Sequence, residues 1–102
     1  MLTIAETEIF SRYVTDYWTE EEPGEFAAWI AEHYDTGDVV RGSGGCRKVR
    51  WSRKGTGKSG GVRVIYYNML GDGVIWLLLI YAKNEQENIP AHILKSVKEK
   101  IK

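Results

Sequence analysis

Residues 62–82 read VRVIYYNMLGDGVIWLLLIYA, and this stretch decides the fold. Its first seven residues are rich in β-branched and aromatic side chains, and Val74–Ala82 is apolar without a break, which is typical of strands. The Gly71-Asp72-Gly73 sequence between them predicts a tight antiparallel connection. An unbroken apolar strand belongs in the interior of a sheet. We therefore expect a central strand at 74–82, with helices on one side of the sheet.

A third strand is predicted upstream, over Cys46–Ser52. Successive side chains of a strand point to opposite faces, so Lys48 and Arg50 share one face, and the other face carries Arg47, Val49 and Trp51. By the same alternation Tyr66 is expected in the core, while Tyr67 is either core or free to stack on a nucleobase. The glycine-rich residues 54–61 predict a hairpin tip.

Helical patterns occupy both ends of the chain. After a short strand at Leu2–Ala5, apolar residues recur with helical spacing from Thr7 to Trp18. Thr19 and Glu22 have capping-box spacing, which predicts a second helix running to about Tyr34. Pro90 opens a last helix whose outward residues are Lys95, Lys98, Lys100 and Lys102. The order predicts one α+β domain over 1–102, with two N-terminal helices packed on a small, mainly antiparallel sheet and a C-terminal helix.

The charges of the chain are segregated although they sum to zero. Residues 1–40 hold ten acids and one base, a charge of −9, and residues 68–102 hold five bases and four acids, a charge of +1. Between them, residues 41–67 carry no acid and eight bases: Arg41, Arg47, Lys48, Arg50, Arg53, Lys54, Lys58 and Arg63. A concentrated positive stripe is the footprint of a phosphate-rich partner, most commonly nucleic acid. We expect binding on one face only.

Several other classes of function are disfavoured. Gly55-Thr56-Gly57-Lys58-Ser59 imitates part of a phosphate-binding loop but lacks the first glycine of the pattern and precedes a strand instead of a helix. Cys46 and the two histidines share no metal-ligand spacing, so we expect neither metal nor cofactor. The lone cysteine indicates a reducing compartment, and no segment resembles a secretory signal or a membrane span. The expected location is the cytoplasm.

Clustered cations on a sheet can bind an RNA backbone, and they can also cleave it. Cleavage requires the ribose 2′-hydroxyl to lose a proton and attack the adjacent phosphorus, and fixed positive charges stabilise the dianionic transition state. A lysine crowded by other cations is a candidate base, because its charged form is disfavoured. From the residues alone, binding without catalysis stays the simpler interpretation.

Three blocks of sequence resemble the HigB branch of the RelE/ParE toxin superfamily. They are residues 44–51 (GGCRKVRW), 58–67 (KSGGVRVIYY) and 81–85 (YAKNE), in this order and spacing. The resemblance implies a RelE-like fold and a bacterial type II toxin that cleaves mRNA on the translating ribosome without a metal. It also implies a neighbouring antitoxin, usually a helix-turn-helix protein, as partner, together with the ribosomal A site, its rRNA and the mRNA.

The resemblance also implies roles for individual residues. The candidate catalytic residues are Lys48, Arg50, Arg63 and Lys83. The candidate RNA contacts are Arg47, Arg53, Lys54, Lys58, Tyr67 and Asn84. RelE proper has an arginine where Asn84 stands and a tyrosine where this chain has Ile89-Pro90. Two alternatives therefore remain, a ParE-like inhibitor of DNA gyrase and an inactive RNA-binding domain of the same shape, although a gyrase inhibitor has no need of the basic residues.

Overall fold

The structure, a computed structural model, describes residues 2–51, 61–82 and 89–101. Five strands form one mixed sheet in the order β1-β5-β4-β3-β2. The strands are β1 (Thr3–Glu6), β2 (Asp38–Val39), β3 (Arg47–Trp51), β4 (Val62–Met69) and β5 (Val74–Ala82). Strand β1 runs parallel to β5, and the other neighbours are antiparallel. The predicted α+β architecture and the interior position of 74–82 are confirmed.

The N-terminal helices are shorter than the apolar pattern predicts. Helix α1 spans Glu8–Tyr13, and a 3₁₀ turn at Val14–Asp16 replaces the expected continuation to Trp18. Trp18 is nevertheless buried, because the turn keeps it against Phe10 and Phe26 in the core. Helix α2 spans Glu22–Glu32 and ends before Tyr34. At its start the Glu22 carboxylate accepts a hydrogen bond of 3.0 Å from the Thr19 amide, one half of the predicted capping box.

Helices cover both faces of the sheet, so the expectation of helices on one side is wrong. One core layer contains α1 and α2 residues packed on Val49, Val64 and Leu77, and we call this side the N-terminal face. On the opposite side, Leu94 and Val97 of α3 (Ala91–Glu99) pack on Ile65 and Leu78, and we call this side the C-terminal face. The apolar side chains of β5 alternate between two buried layers, which explains why that strand has no polar position.

A β-bulge interrupts the pairing of β4 with β5. Tyr66 lies opposite Leu77, but Ile65 lies opposite Leu79, so Leu78 is the extra residue. Leu78 and Leu79 consequently both point to the C-terminal face. The Leu78 carbonyl accepts a hydrogen bond of 2.8 Å from the Thr7 hydroxyl, whose oxygen also caps α1 through the Phe10 amide at 3.0 Å. The bulge is therefore anchored to the N-terminus of the first helix.

Candidate functional site

The sheet register brings two of the predicted catalytic arginines together. Arg50 on β3 lies directly opposite Arg63 on β4, and Arg63 lies directly opposite Tyr81 on β5. Residues opposite each other in an antiparallel pair share a face and have Cβ atoms about 4.5–5.5 Å apart. We call these three residues the Arg50–Tyr81 row. Arg50 is exposed, Arg63 is half-buried and Tyr81 is only 6% exposed.

Lys48 lies on the same face as Arg50, two residues earlier in β3. It lies opposite Ile65, and is therefore a diagonal neighbour of Arg63, at a separation of about 7–8 Å between backbones. On its other side Lys48 faces Asp38 of the edge strand β2. A carboxylate beside the lysine is a favourable cross-strand pairing, whereas Arg50 opposite Arg63 is an unfavourable one. The positive charge is thus concentrated at the two arginines.

The contact between α3 and β3 lies at the opposite end of that strand from Arg50. The helix meets β3 at its start, where the Cys46 thiol lies 3.8 Å from the Leu94 carbonyl oxygen. Arg50 is four residues further along the strand, roughly 13 Å away at 3.3 Å per residue. Among the described residues, Arg50 on this part of the face is exposed and accessible to a ligand, whereas Tyr81 belongs to the apolar cluster that includes Leu94 and Val97 of α3.

Like charges placed directly opposite each other destabilise a sheet. An anion bound by both Arg50 and Arg63 would offset the repulsion between these two opposed charges. Guanidinium groups match the geometry of phosphate oxygens and bind them through paired hydrogen bonds. The arrangement is suited to hold a phosphodiester and to stabilise additional negative charge on it.

Tyr81 is the member of the row that the sequence did not reveal. Strict alternation from the Met69–Val74 end of the hairpin would place Ile80 opposite Arg63 and turn Tyr81 to the N-terminal face. The bulge at Leu78 reverses that phase. Burial raises the pKa of the Tyr81 hydroxyl, and the positive charge of Arg63 partly offsets this rise. The hydroxyl accordingly keeps its proton at neutral pH, with the arginine close by.

Arg47 lies on the other side of the sheet. Its guanidinium donates hydrogen bonds to the carbonyl oxygens of Gly37 at 2.8 Å and Asp35 at 3.3 Å. These bonds hold the turn that follows α2. The structure does not bring Arg47 together with Lys48, Arg50 and Arg63, and its predicted contact with RNA stays a prediction for a separate surface.

Tyr67 is on the C-terminal face but is packed beneath α3. The Lys98 ammonium lies 5.0 Å from the centre of its ring, and also donates to the Gly44 carbonyl oxygen at 3.3 Å. Lys98 is half-buried by these contacts, so it is not one of the outward lysines that the helical pattern predicts. Stacking of a nucleobase on Tyr67 stays a prediction, while Tyr66 is confirmed as a fully buried core residue.

The remaining predicted residues fall outside the part of the chain that the structure describes. They are Arg53, Lys54, Lys58, Lys83 and Asn84. Their attachment points are known, since residues 52–60 connect Trp51 of β3 to the start of β4 and residues 83–88 follow Ala82 of β5. Both segments therefore begin at the end of the sheet where the Arg50–Tyr81 row lies.

Three further features of the described residues bear on the kind of site. Within 2–51, 61–82 and 89–101, no three His, Cys, Asp or Glu side chains are grouped so that they could hold a metal ion. Cys46 is buried, and burial raises the pKa of its thiol, which is the environment of an inert core cysteine. In these same ranges no helix has the length and apolar character needed to cross a membrane.

The fold is that of a known toxin. The chain superimposes on the structure of the E. coli toxin RelE, a double arginine-to-alanine mutant in the free state, with a TM-score of 0.65. The match covers 98% of both chains at 14% sequence identity. No protein-family model matches the sequence. The protein is thus an α+β protein with a RelE-like fold and a cationic row at one end of its sheet.

Proposed function

We propose that this protein is the toxin of a type II toxin–antitoxin system, of the HigB type, and that it cleaves mRNA on the translating ribosome. The observation that carries the proposal is the direct opposition of Arg50 and Arg63 on the C-terminal face, where Arg50 is exposed. An unfavourable pair of like charges at a surface indicates a site for a polyanion. The RelE-like fold supports the choice of RNA cleavage among the activities open to such a site.

The proposed reaction is an internal transesterification. The ribose 2′-hydroxyl gives up its proton to a base, its oxygen forms a bond to the adjacent phosphorus, and the bond from phosphorus to the 5′-oxygen breaks. The 5′-oxygen then takes up a proton, leaving a 2′,3′-cyclic phosphate and a 5′-hydroxyl end. Arg50 and Arg63 hold the non-bridging oxygens and stabilise the added negative charge of the transition state.

The proton transfers are assigned to lysine. Lys48 lies on the same face as the arginine pair. Lys83 is the next residue in the sequence after the end of β5 at Ala82. Lys83 is outside the described residues, and its role as base or acid rests on the resemblance to HigB. Full cleavage activity in Lys83→Ala would show that the assignment to Lys83 is wrong.

The partners follow from the same proposal. They are the ribosome with its A-site rRNA, the mRNA, and a cognate antitoxin, for which a helix-turn-helix protein is proposed. The basic residues at 53, 54 and 58 are suited to contact RNA phosphates, because they are borne by a segment that begins at the end of the sheet beside the arginines. Binding should weaken steeply with added salt, as it does wherever phosphate contacts release counterions.

The test is primer extension on an mRNA incubated with the purified protein. Translating ribosomes are present in one reaction and absent from the other, and divalent metal is limited to what the ribosome needs. We expect the wild-type protein to cut the mRNA only in the reaction that contains ribosomes. The Arg63→Ala variant should cut in neither reaction. Arg12→Ala, an exposed arginine of α1, is the matched control and should cut normally. Intact mRNA with the folded wild-type protein would refute the proposal, and inhibition of DNA gyrase would then be measured.

A further inference from the structure

A tyrosine with no role in the proposed reaction is held beside its central arginine. Tyr81 is 6% exposed and lies directly opposite Arg63. Burial raises the pKa of the Tyr81 hydroxyl, and the nearby positive charge of Arg63 acts in the opposite direction. A phenolic oxygen can accept a hydrogen bond from a guanidinium while its own proton is donated elsewhere. Tyr81 thus has the chemistry to fix the orientation of a neighbouring arginine.

The β-bulge at Leu78 is what places Tyr81 opposite Arg63. Without the extra residue Leu78, the ladder would continue from Tyr66–Leu77 in phase, and Ile80 would face Arg63. A bulge costs ladder hydrogen bonds, and bulges are common beside active sites, where they re-aim a side chain. Here the carbonyl of the bulged residue is tied to the Thr7 hydroxyl at 2.8 Å. The irregularity is therefore a fixed part of the fold, and its consequence is the position of Tyr81.

We infer that Tyr81 is a positioning residue for Arg63, aimed at it by the Leu78 bulge, and that it holds the guanidinium in the orientation that binds the scissile phosphate. The inference rests on the proposed function. Because Tyr81 is buried and acts through Arg63, it does not transfer a proton itself. Removing its hydroxyl should slow the chemical step and leave RNA affinity unchanged.

The test is Tyr81→Phe, which removes one oxygen and keeps the ring. Cleavage of ribosome-bound mRNA is measured at saturating and at half-saturating toxin, over a range of pH. We expect the maximal rate to fall about tenfold to hundredfold, the usual worth of a hydrogen bond to a charged group. The half-saturating concentration and the shape of the pH profile should stay as in the wild type. Tyr13→Phe, which alters an exposed tyrosine of α1, should change nothing.

A second variant tests the bulge separately from the hydroxyl. Thr7→Val removes the hydrogen bond to the Leu78 carbonyl, and with it the cap on the Phe10 amide, but changes no residue of the row. A smaller drop in the same maximal rate is expected, measured well below the unfolding temperature of each variant. An unchanged rate in Tyr81→Phe would overturn this inference and leave the proposed function standing. A shifted pH profile would also overturn it, because it would make Tyr81 a proton donor. A wild-type protein that cuts no mRNA would refute the proposed function and this inference with it.

Discussion

The two faces of the sheet use arginine and tyrosine in opposite ways. On the N-terminal face, the Tyr66 hydroxyl donates to the Tyr34 carbonyl at 2.8 Å and accepts from the Gly37 amide at 3.0 Å, and Arg47 bonds backbone carbonyls nearby. On the C-terminal face, Arg63 has a second arginine as its cross-strand neighbour. The polar groups of the first face complete the fold, whereas the cations of the second are placed so that they can bind an anion together.

This difference gives each face its own expected response to substitution. Changes on the N-terminal face should lower the free energy of unfolding and leave cleavage per folded molecule intact. Changes in the Arg50–Tyr81 row should lower cleavage per folded molecule and leave the protein folded. A change at the exposed Arg50 should even stabilise the free protein slightly, because it removes the opposition of like charges.

The largest effect is expected from Arg50→Ala. Arg50 is exposed on the C-terminal face, so the fold should survive the loss of its side chain. Removing one fixed donor to a developing negative charge costs about 10²–10³ in rate. Cleavage on ribosomes and thermal unfolding should be measured on the same preparation. Loss of both stability and activity would show that Arg50 belongs to the fold and not to the site.

Tyr66→Phe should have the converse effect. The variant leaves the buried Gly37 amide without its acceptor and removes a donor from the Tyr34 carbonyl. An unsatisfied buried group costs about 1–3 kcal/mol, which denaturant unfolding would detect. Cleavage per folded molecule should stay at the wild-type rate. A cleavage defect without loss of stability would contradict the division of roles between the faces.

Alkaline pH should weaken the fold through groups on both faces. Burial raises the pKa of Cys46 above its ordinary 9.0, and those of Tyr66 and Tyr81 above their ordinary 10.0. The unfolded chain therefore loses these protons first, so stability is undiminished below pH 9 and falls as the pH rises beyond 9 and then 10. Urea unfolding at several pH values measures the slope. Tyr66→Phe should flatten it above pH 10, and an unchanged slope would contradict the expectation.

The smallest effect is expected from Lys98→Met. The substitution removes the ammonium that lies over the Tyr67 ring and bonds the Gly44 carbonyl, while keeping the apolar stem. A cation over a partly exposed ring is worth about 0.5–1 kcal/mol, which a small fall in Tm would report. Lys95→Met, which alters an exposed lysine of the same helix, is the control. A large loss of cleavage in Lys98→Met would show that Tyr67 and Lys98 belong to the functional surface.

The sequence predicted what depends on local pattern. Alternation over 46–52 placed Lys48 and Arg50 on one face, and the turn at 71–73 paired the last two strands, which together locate the arginines. The second covered face was missed because the pattern of α3 shows that it packs, but not on which side of the sheet. Tyr81 was missed for a sharper reason. A bulge has no reliable signature inside an unbroken apolar run, and a shift of one residue reverses the face of everything beyond it.

The division between the two faces is tested most directly by comparing Arg63→Ala with Arg47→Ala. Both remove a half-buried arginine from the sheet, from opposite faces. Each variant is assayed for cleavage of ribosome-bound mRNA and for thermal unfolding. We predict that Arg63→Ala stays folded at the assay temperature and loses cleavage, whereas Arg47→Ala loses stability and still cuts when folded. Equal cleavage by both variants, or loss of cutting in Arg47→Ala alone, would contradict a cationic catalytic site on the C-terminal face.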